Sequence, residues 1–291
     1  MSAVTVARPR EVPRAATTPL RWLRKRALRL VVLTYLAALV GLPVVYLFVS
    51  ALSPGWSAFW SAVTSPAIVQ GLEFSAKIAA VVVPVNTVAC VGAALLLARR
   101  KFVGSRLLDL TFDVPIAVSP IIIGVALIMA YSPNGSWFGP WLMGEGVRLI
   151  FSPAGVALAS MAVSLPYVLR SVLPVLVEVG ESQEVAARTL GAGPWRRFFT
   201  ITLPAIRWGL LYGVVLTLAR TLGEFGAVLL VSGNASNTST LPLALWNQWE
   251  QYDNQDAAYA GSVVLAVISI ATLVVLSILR TREKKLHVDL S

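Results

Sequence analysis

The chain has 291 residues, 57% of them hydrophobic and only 13% charged, with a net charge of +10 and a single cysteine and histidine. A water-soluble domain carries about 25% charged residues, so this composition excludes one and places the chain in a bilayer. Lone copies of Cys90 and His287 exclude an internal disulfide, a thiolate metal cluster, a two-histidine metal site and a Ser-His catalytic pair.

Residues 1–29 form a basic, proline-containing leader that opens MSAVTVARPREVPRAATTP and is expected to be disordered. Six helical spans follow, at about 30–51, 72–98, 108–131, 153–176, 206–231 and 257–279. Each offers the ~20 apolar residues that cross ~30 Å of hydrocarbon. Runs this continuous cross as helices, because lipid supplies no partner for an open backbone group. Internal prolines such as Pro43, Pro84 and Pro120 are tolerated where neighbouring helices satisfy the freed carbonyls. The first span is too long for a signal-peptide core and reads as an anchor. Residues 281–291 form a charged tail that holds His287, a solvated position, and no internal repeat is evident. The expected class is an all-α membrane protein with six transmembrane helices, its membrane domain covering 30–280.

Lysine and arginine orient the spans. Residues 1–29 hold eight, 99–106 hold four, 178–207 hold four and the tail from Arg280 holds four, so 20 of the 24 fall in segments that six crossings put on one side. The opposite loops, 52–70, 132–152 and 232–256, hold only Arg148. Both termini are therefore expected in the cytoplasm. The basic charge reports topology and contact with anionic membrane lipid, not nucleic acid. Trp56, Trp60, Trp137, Trp141, Trp246 and Trp249 fall in the outer loops, where indole rings anchor at headgroups. Contact with an external partner is the alternative.

Ionisable groups inside spans are costly and each needs a role. Arg220 and Glu224 stand four apart on the fifth span, ~21 Å along the axis from its start for the arginine. They are either a buried pair that locks this span to a neighbour or part of a path for an anion. Arg170 is expected to snorkel to the headgroups. Glu73 and Lys77 are expected to form an interfacial salt bridge at the outer start of the second span. Ser75, Asn86, Ser119, Ser160, Ser164 and Thr217 are the uncharged donors that the spans offer to a polar solute in transit.

One inner loop, 178–205, differs from the rest. Residues 184–204 read EVAARTLGAGPWRRFFTITLP, with a glutamate, three arginines and two prolines, so they do not span. Ser182 is placed to cap a short helix with Glu184 near its positive end. Ala186 and Ala187 give that helix a small face, and Gly191 ends it in a left-handed conformation. Pro194 opens a second helix carrying Trp195, Phe198 and Phe199. A small-faced helix braced in this way suits docking into a groove of a partner.

These residues resemble the EAA motif of binding-protein-dependent ABC importer permeases: E-A-A, three residues, Gly, nine residues, then I-x-L-P. Ala186, Ala187, Gly191, Ile201, Leu203 and Pro204 match. The family glutamate falls on Val185, with Glu184 adjacent but ~100° round the helix. The resemblance implies a type I importer permease fold and a coupling helix seated in a separate ATPase subunit. The implied coupling residues are Glu184, Ala186, Ala187, Gly191, Trp195, Ile201, Leu203 and Pro204. No G-x-x-x-x-G-K-[ST] loop occurs in the chain, so it is expected to have no nucleotide site, with ATP and Mg carried by partner ATPase subunits.

The run Arg220, Gly223, Glu224, Phe225, Gly226, then Ser232-Gly233-Asn234, is similar to the sulfate/thiosulfate and molybdate branch of these permeases. The later YDNQDAAYAGSVVLA resembles the CysW-type sulfate subunit more than the CysT-type. The implied partners are a second, CysT-type permease, two ATPase subunits and an extracytoplasmic sulfate-binding protein. A molybdate or tungstate permease is the alternative within the class. A stand-alone secondary anion transporter is the alternative outside it, but that would show internal repeats or ionisable relays on several spans. An intramembrane enzyme lacks a histidine, a metal cluster or a paired-carboxylate motif to work with.

Overall fold

The computed structural model of the chain describes residues 19–133, 136–233 and 238–289, with side chains between 26 and 279. The first eighteen residues of the expected leader lie outside the described residues. Its remainder is helical, because α1 already begins at Pro19 and runs to Leu36. A π turn, Ala37–Gly41, joins α1 to α2 (Leu42–Leu52). The described residues up to Val49 form one unit, and none of the side chains described in it is buried. A helix that is apolar all round and unburied fits lipid rather than water.

The second unit, from Ser50 onward, is also built of helices, with no strand among its described residues. Its long elements are α4 (Pro66–Arg99), α8 (Pro153–Val179), α11 (Leu203–Leu222) and α14 (Gln255–Asp289). At ~1.5 Å per residue, the 34 residues of α4 run ~50 Å, well beyond the ~30 Å hydrocarbon slab. One or both of its ends therefore project past the apolar zone. Short helices α3 (Trp56–Val63), α7 (Gly139–Gly144) and α13 (Leu241–Glu250) fill loops expected to be irregular. The six tryptophans of those loops stay 42–88% exposed, a state that suits either headgroup anchoring or contact with a partner.

Cross-helix bonds fix the register. Asn86 of α4 donates to the Met161 carbonyl and Ser164 hydroxyl of α8 (3.0 and 2.9 Å), and Cys90 donates to Leu165 (3.0 Å). Arg99 donates to Leu176 at 2.9 Å. Both partners advance together, so α4 and α8 run parallel. Helix α11 runs antiparallel to α8, with Gly209 beside Ser171 and Val175 and Gly213 beside Val168. A Cβ on Gly213 would stand 2.9 Å from the Val168 Cα, so only glycine permits that approach. The G-x-x-x-G spacing is a means of close packing in lipid, where van der Waals contact replaces the hydrophobic drive. Around these three helices Cys90, Ala94, Val168, Leu169, Val172, Leu176 and Ile206 form a continuous core.

Two expected spans are broken. The third divides into α5 (Ser105–Ala117) and α6 (Pro120–Tyr131), bent by 115°. Pro120 bars the helical region to Ser119, whose ψ is 138°, and so turns the chain at that point. The fifth does not run to 231: α11 stops at Leu222 and α12 (Gly226–Val231) starts after a gap of three residues, with glycines at 223 and 226 flanking the break. Counting the bent pair as one, six segments are long and apolar enough to cross a membrane.

Candidate functional site

Helix α9 (Ser182–Thr189) follows α8 through Gly180, whose φ is +70°. Ser182 is not its cap, as sequence spacing suggested. The helix is entered one residue earlier, at Glu181, which makes no side-chain cap bond. The far end is as expected, with Gly191 at φ +81°. There the Ala192 amide donates to the Ala187 carbonyl and the Gly191 amide to that of Arg188, both at 3.0 Å. This pair of bonds is a Schellman closure, which satisfies carbonyls that the helix end would orphan.

Pro194 opens α10 (Pro194–Arg197), as expected, but α10 is no separate helix. It continues through a π turn, Phe198–Thr202, into α11, so one 29-residue rod joins the loop to the membrane. Trp195 stacks on Phe199 (centroids 6.2 Å) and Phe198 meets Phe199 edge-on (5.1 Å). Phe198 and Leu203 pack against the core, Ile201 is half-buried, and Pro204 is exposed. No side chain of α9 is buried. With Ala186 exposed and Ala187 half-buried, it presents a small face flanked by Val185 (41% exposed), Leu190 (88%), Trp195 (75%) and Phe199 (57%). Exposed large apolar side chains in a cluster mark an interaction site. Leu190 and Val185 belong to it and escaped sequence reading, because each looks like an ordinary apolar residue of a helix.

Glu184 has a different part. Its Oε1 lies 3.0 Å from Nη2 of Arg99 at the end of α4 and accepts a 2.9 Å bond from the Thr202 hydroxyl. Arg99 reaches the Leu176 carbonyl with its other terminal nitrogen. The node joins α4, α8, α9 and the π turn, and both charged side chains are largely covered (13% and 20% exposed). Sequence reading took Arg99 for a topology charge and could not see its partner 85 residues away.

Arg220 and Glu224 are paired, at 2.9 Å, but do not share one helix. Glu224 lies past the end of α11, in the break, and is only 1% exposed. Its Oε1 accepts the Ala227 amide at 2.9 Å, so it caps α12 while it neutralises Arg220. Arg170 does not snorkel. Asp109 and Asp113 of α5 hold it at 2.8 and 2.7 Å, and Nε donates again to Asp113 at 2.8 Å. The signal was two carboxylates four apart at the start of a span, which place both on one helix face. Glu73 and Lys77 form the expected exposed bridge at 2.7 Å.

Several candidate anion donors are engaged inside the chain. Asn86 and Ser164 bind each other across α4 and α8, and Ser75 accepts the Leu241 amide at 2.8 Å. Ser160 and Thr217 are buried among the packed helices, and only Ser119, at the bend, is exposed. Among the described residues no cluster of three or more histidine, cysteine or carboxylate side chains is placed to hold a metal.

Helices long and apolar enough to cross a membrane are what a membrane transport subunit needs, and comparison assigns that class. The model of the binding-protein-dependent transport system inner membrane component family matches residues 90–285, and the chain belongs to that family. It is 43% identical over 251 residues to the sulfate transport system permease protein CysW of Synechocystis, covering 86% of this chain and 90% of that one. It is 33% identical over 254 residues to the CysT permease of Escherichia coli K12, covering 87% and 90%. The fold matches a solved bacterial ABC transporter involved in import of the polysaccharide alginate, with TM-score 0.73, 15% identity and 91% and 96% coverage.

Proposed function

We propose that this chain is the CysW-type transmembrane subunit of an ATP-driven importer of sulfate or thiosulfate. It pairs with a CysT-type permease, takes its energy from two ATPase subunits that bind ATP and Mg, and receives the anion from an extracytoplasmic binding protein. Higher identity to the CysW relative than to the CysT relative supports that place in the pair. Both termini lie in the cytoplasm of a prokaryote whose inner membrane holds the complex. The basic segments at 99–106 and 178–207 support this orientation, since Arg99, Leu176 and Glu184 meet at one end of the bundle.

The observation that carries the reading is the α9 knob: a short, unburied helix ended by Gly191 and ringed by exposed Leu190, Trp195 and Phe199. Apolar side chains in that setting serve contact with another protein. Closing of the ATPase pair pushes this knob and turns the pore from inward- to outward-facing. Tetrahedral dianions are bound by the external protein and pass the membrane through a path that holds them weakly. Tight binding within the permease would trap the ion. The chain itself carries no nucleotide site in this account.

The test is ATP-dependent uptake of radiolabelled sulfate by the reconstituted complex, challenged with thiosulfate, molybdate and tungstate. Competition by thiosulfate and indifference to molybdate are expected. Preferential uptake of molybdate moves the subunit to the neighbouring branch. Uptake by this chain alone, without nucleotide, refutes the importer reading.

A further inference from the structure

Helix α9 has weak ties to the membrane helices. None of its side chains is buried, so apolar packing does not anchor it. Its two chain connections pass through glycines at positive φ, Gly180 (+70°) and Gly191 (+81°), and a Cβ at either would meet nothing within 4 Å. A charged side-chain link ties α9 to the membrane helices. The Glu184 carboxylate holds Arg99 at 3.0 Å and Thr202 at 2.9 Å, and Arg99 holds the Leu176 carbonyl at 2.9 Å.

We infer that Arg99 is the positioning residue that carries displacement of α9 into α4 and α8, through a guanidinium fork joining Glu184 to the last turn of α8. This rests on the proposed docking of α9 to an ATPase subunit. The planar guanidinium suits the task, since its two terminal nitrogens reach two acceptors at a fixed angle. An ammonium at the same place keeps the charge and loses the fork. Because Arg99 ends α4 and Leu176 lies in the last turn of α8, a shift of Glu184 moves both parallel helices together. Those helices are also joined further along by Asn86 with Ser164 and Cys90 with Leu165, so they respond as one body.

The experiment uses the complete reconstituted importer and measures three quantities on each variant: ATPase subunits co-purified per permease, ATP hydrolysed, and sulfate taken up per ATP. Arg99→Gln is expected to retain the ATPase subunits and their hydrolysis while uptake per ATP falls at least tenfold. Glu184→Gln is expected to match it, and the double variant to be no worse than either, because one link is cut in all three. Arg99→Lys is expected to fall between. Unchanged uptake per ATP in Arg99→Gln overturns the inference. So does a proportional loss of assembly, hydrolysis and uptake, which marks a structural brace. Absence of ATPase subunits from the wild-type complex refutes the docking reading itself, and the inference with it.

Discussion

Substitution at Gly191 separates backbone strain from obstruction of a docking surface. Its φ of +81° lies in the left-handed region, where a side chain costs about 1–2 kcal/mol. Nothing lies within 4 Å of a Cβ placed there, so the first carbon of either an alanine or a tryptophan side chain meets no neighbour. Alanine and tryptophan therefore pay the same local cost, and only tryptophan adds bulk beside Leu190 and Trp195. Overpacking a fitted contact costs about 1–3 kcal/mol, and an indole at its centre reaches the top of that range, on the order of a hundredfold in affinity. Gly191→Ala is thus expected to weaken ATPase co-purification only slightly, whereas Gly191→Trp loses it and uncouples uptake with the permease still inserted. Pull-down of ATPase subunits at graded concentration, with sulfate uptake in proteoliposomes, reads both. Equal losses for the two variants would mean that strain, not contact, is what matters at this position, and normal uptake by Gly191→Trp would refute docking there.

Three further outcomes follow from the ion pairs and the glycine seam. Arg170→Met leaves Asp109 and Asp113 facing each other without a cation and should cost about 1–3 kcal/mol, less than a fully buried pair because the site is about one-third exposed. Detergent melting should show the loss and its recovery when both aspartates become asparagine. Arg220→Gln strands the buried Glu224 carboxylate and should lower the melting midpoint, with Arg220→Gln/Glu224→Gln restoring it. Unchanged stability with uptake abolished would instead put Arg220 on the anion path. Gly213→Ala drives a Cβ to 2.9 Å from the Val168 Cα and should destabilise the α8–α11 contact by about 1–3 kcal/mol, measured as a shift in melting midpoint.

The spans were legible because hydropathy over twenty residues is a local property, and so was the loop, whose glycine and prolines punctuate it at fixed offsets. The breaks were not. Ser119-Pro120 and Gly223 to Gly226 sit inside apolar runs, where a span and two half-spans have nearly the same composition. Cross-helix pairs were hidden for another reason. Arg170 meets Asp113 57 residues earlier, and Arg99 meets Glu184 85 residues later. Each arginine alone reads as a headgroup or topology charge. Glu184 shows the limit within a recognised motif, since its position was noted but its carboxylate faces inward to Arg99 and Thr202. The small face and the neighbouring apolar ledge, not that carboxylate, are what α9 offers a partner.

Docking of α9 is tested most directly by a photo-crosslinking residue at Leu190, which is 88% exposed and stands beside Gly191. In membranes holding the full importer, irradiation should join the permease to an ATPase subunit, and a crosslinker at Trp137 on the opposite loops should not. Adducts from Leu190 to the external binding protein, or none while ATP-driven uptake proceeds, would contradict the account.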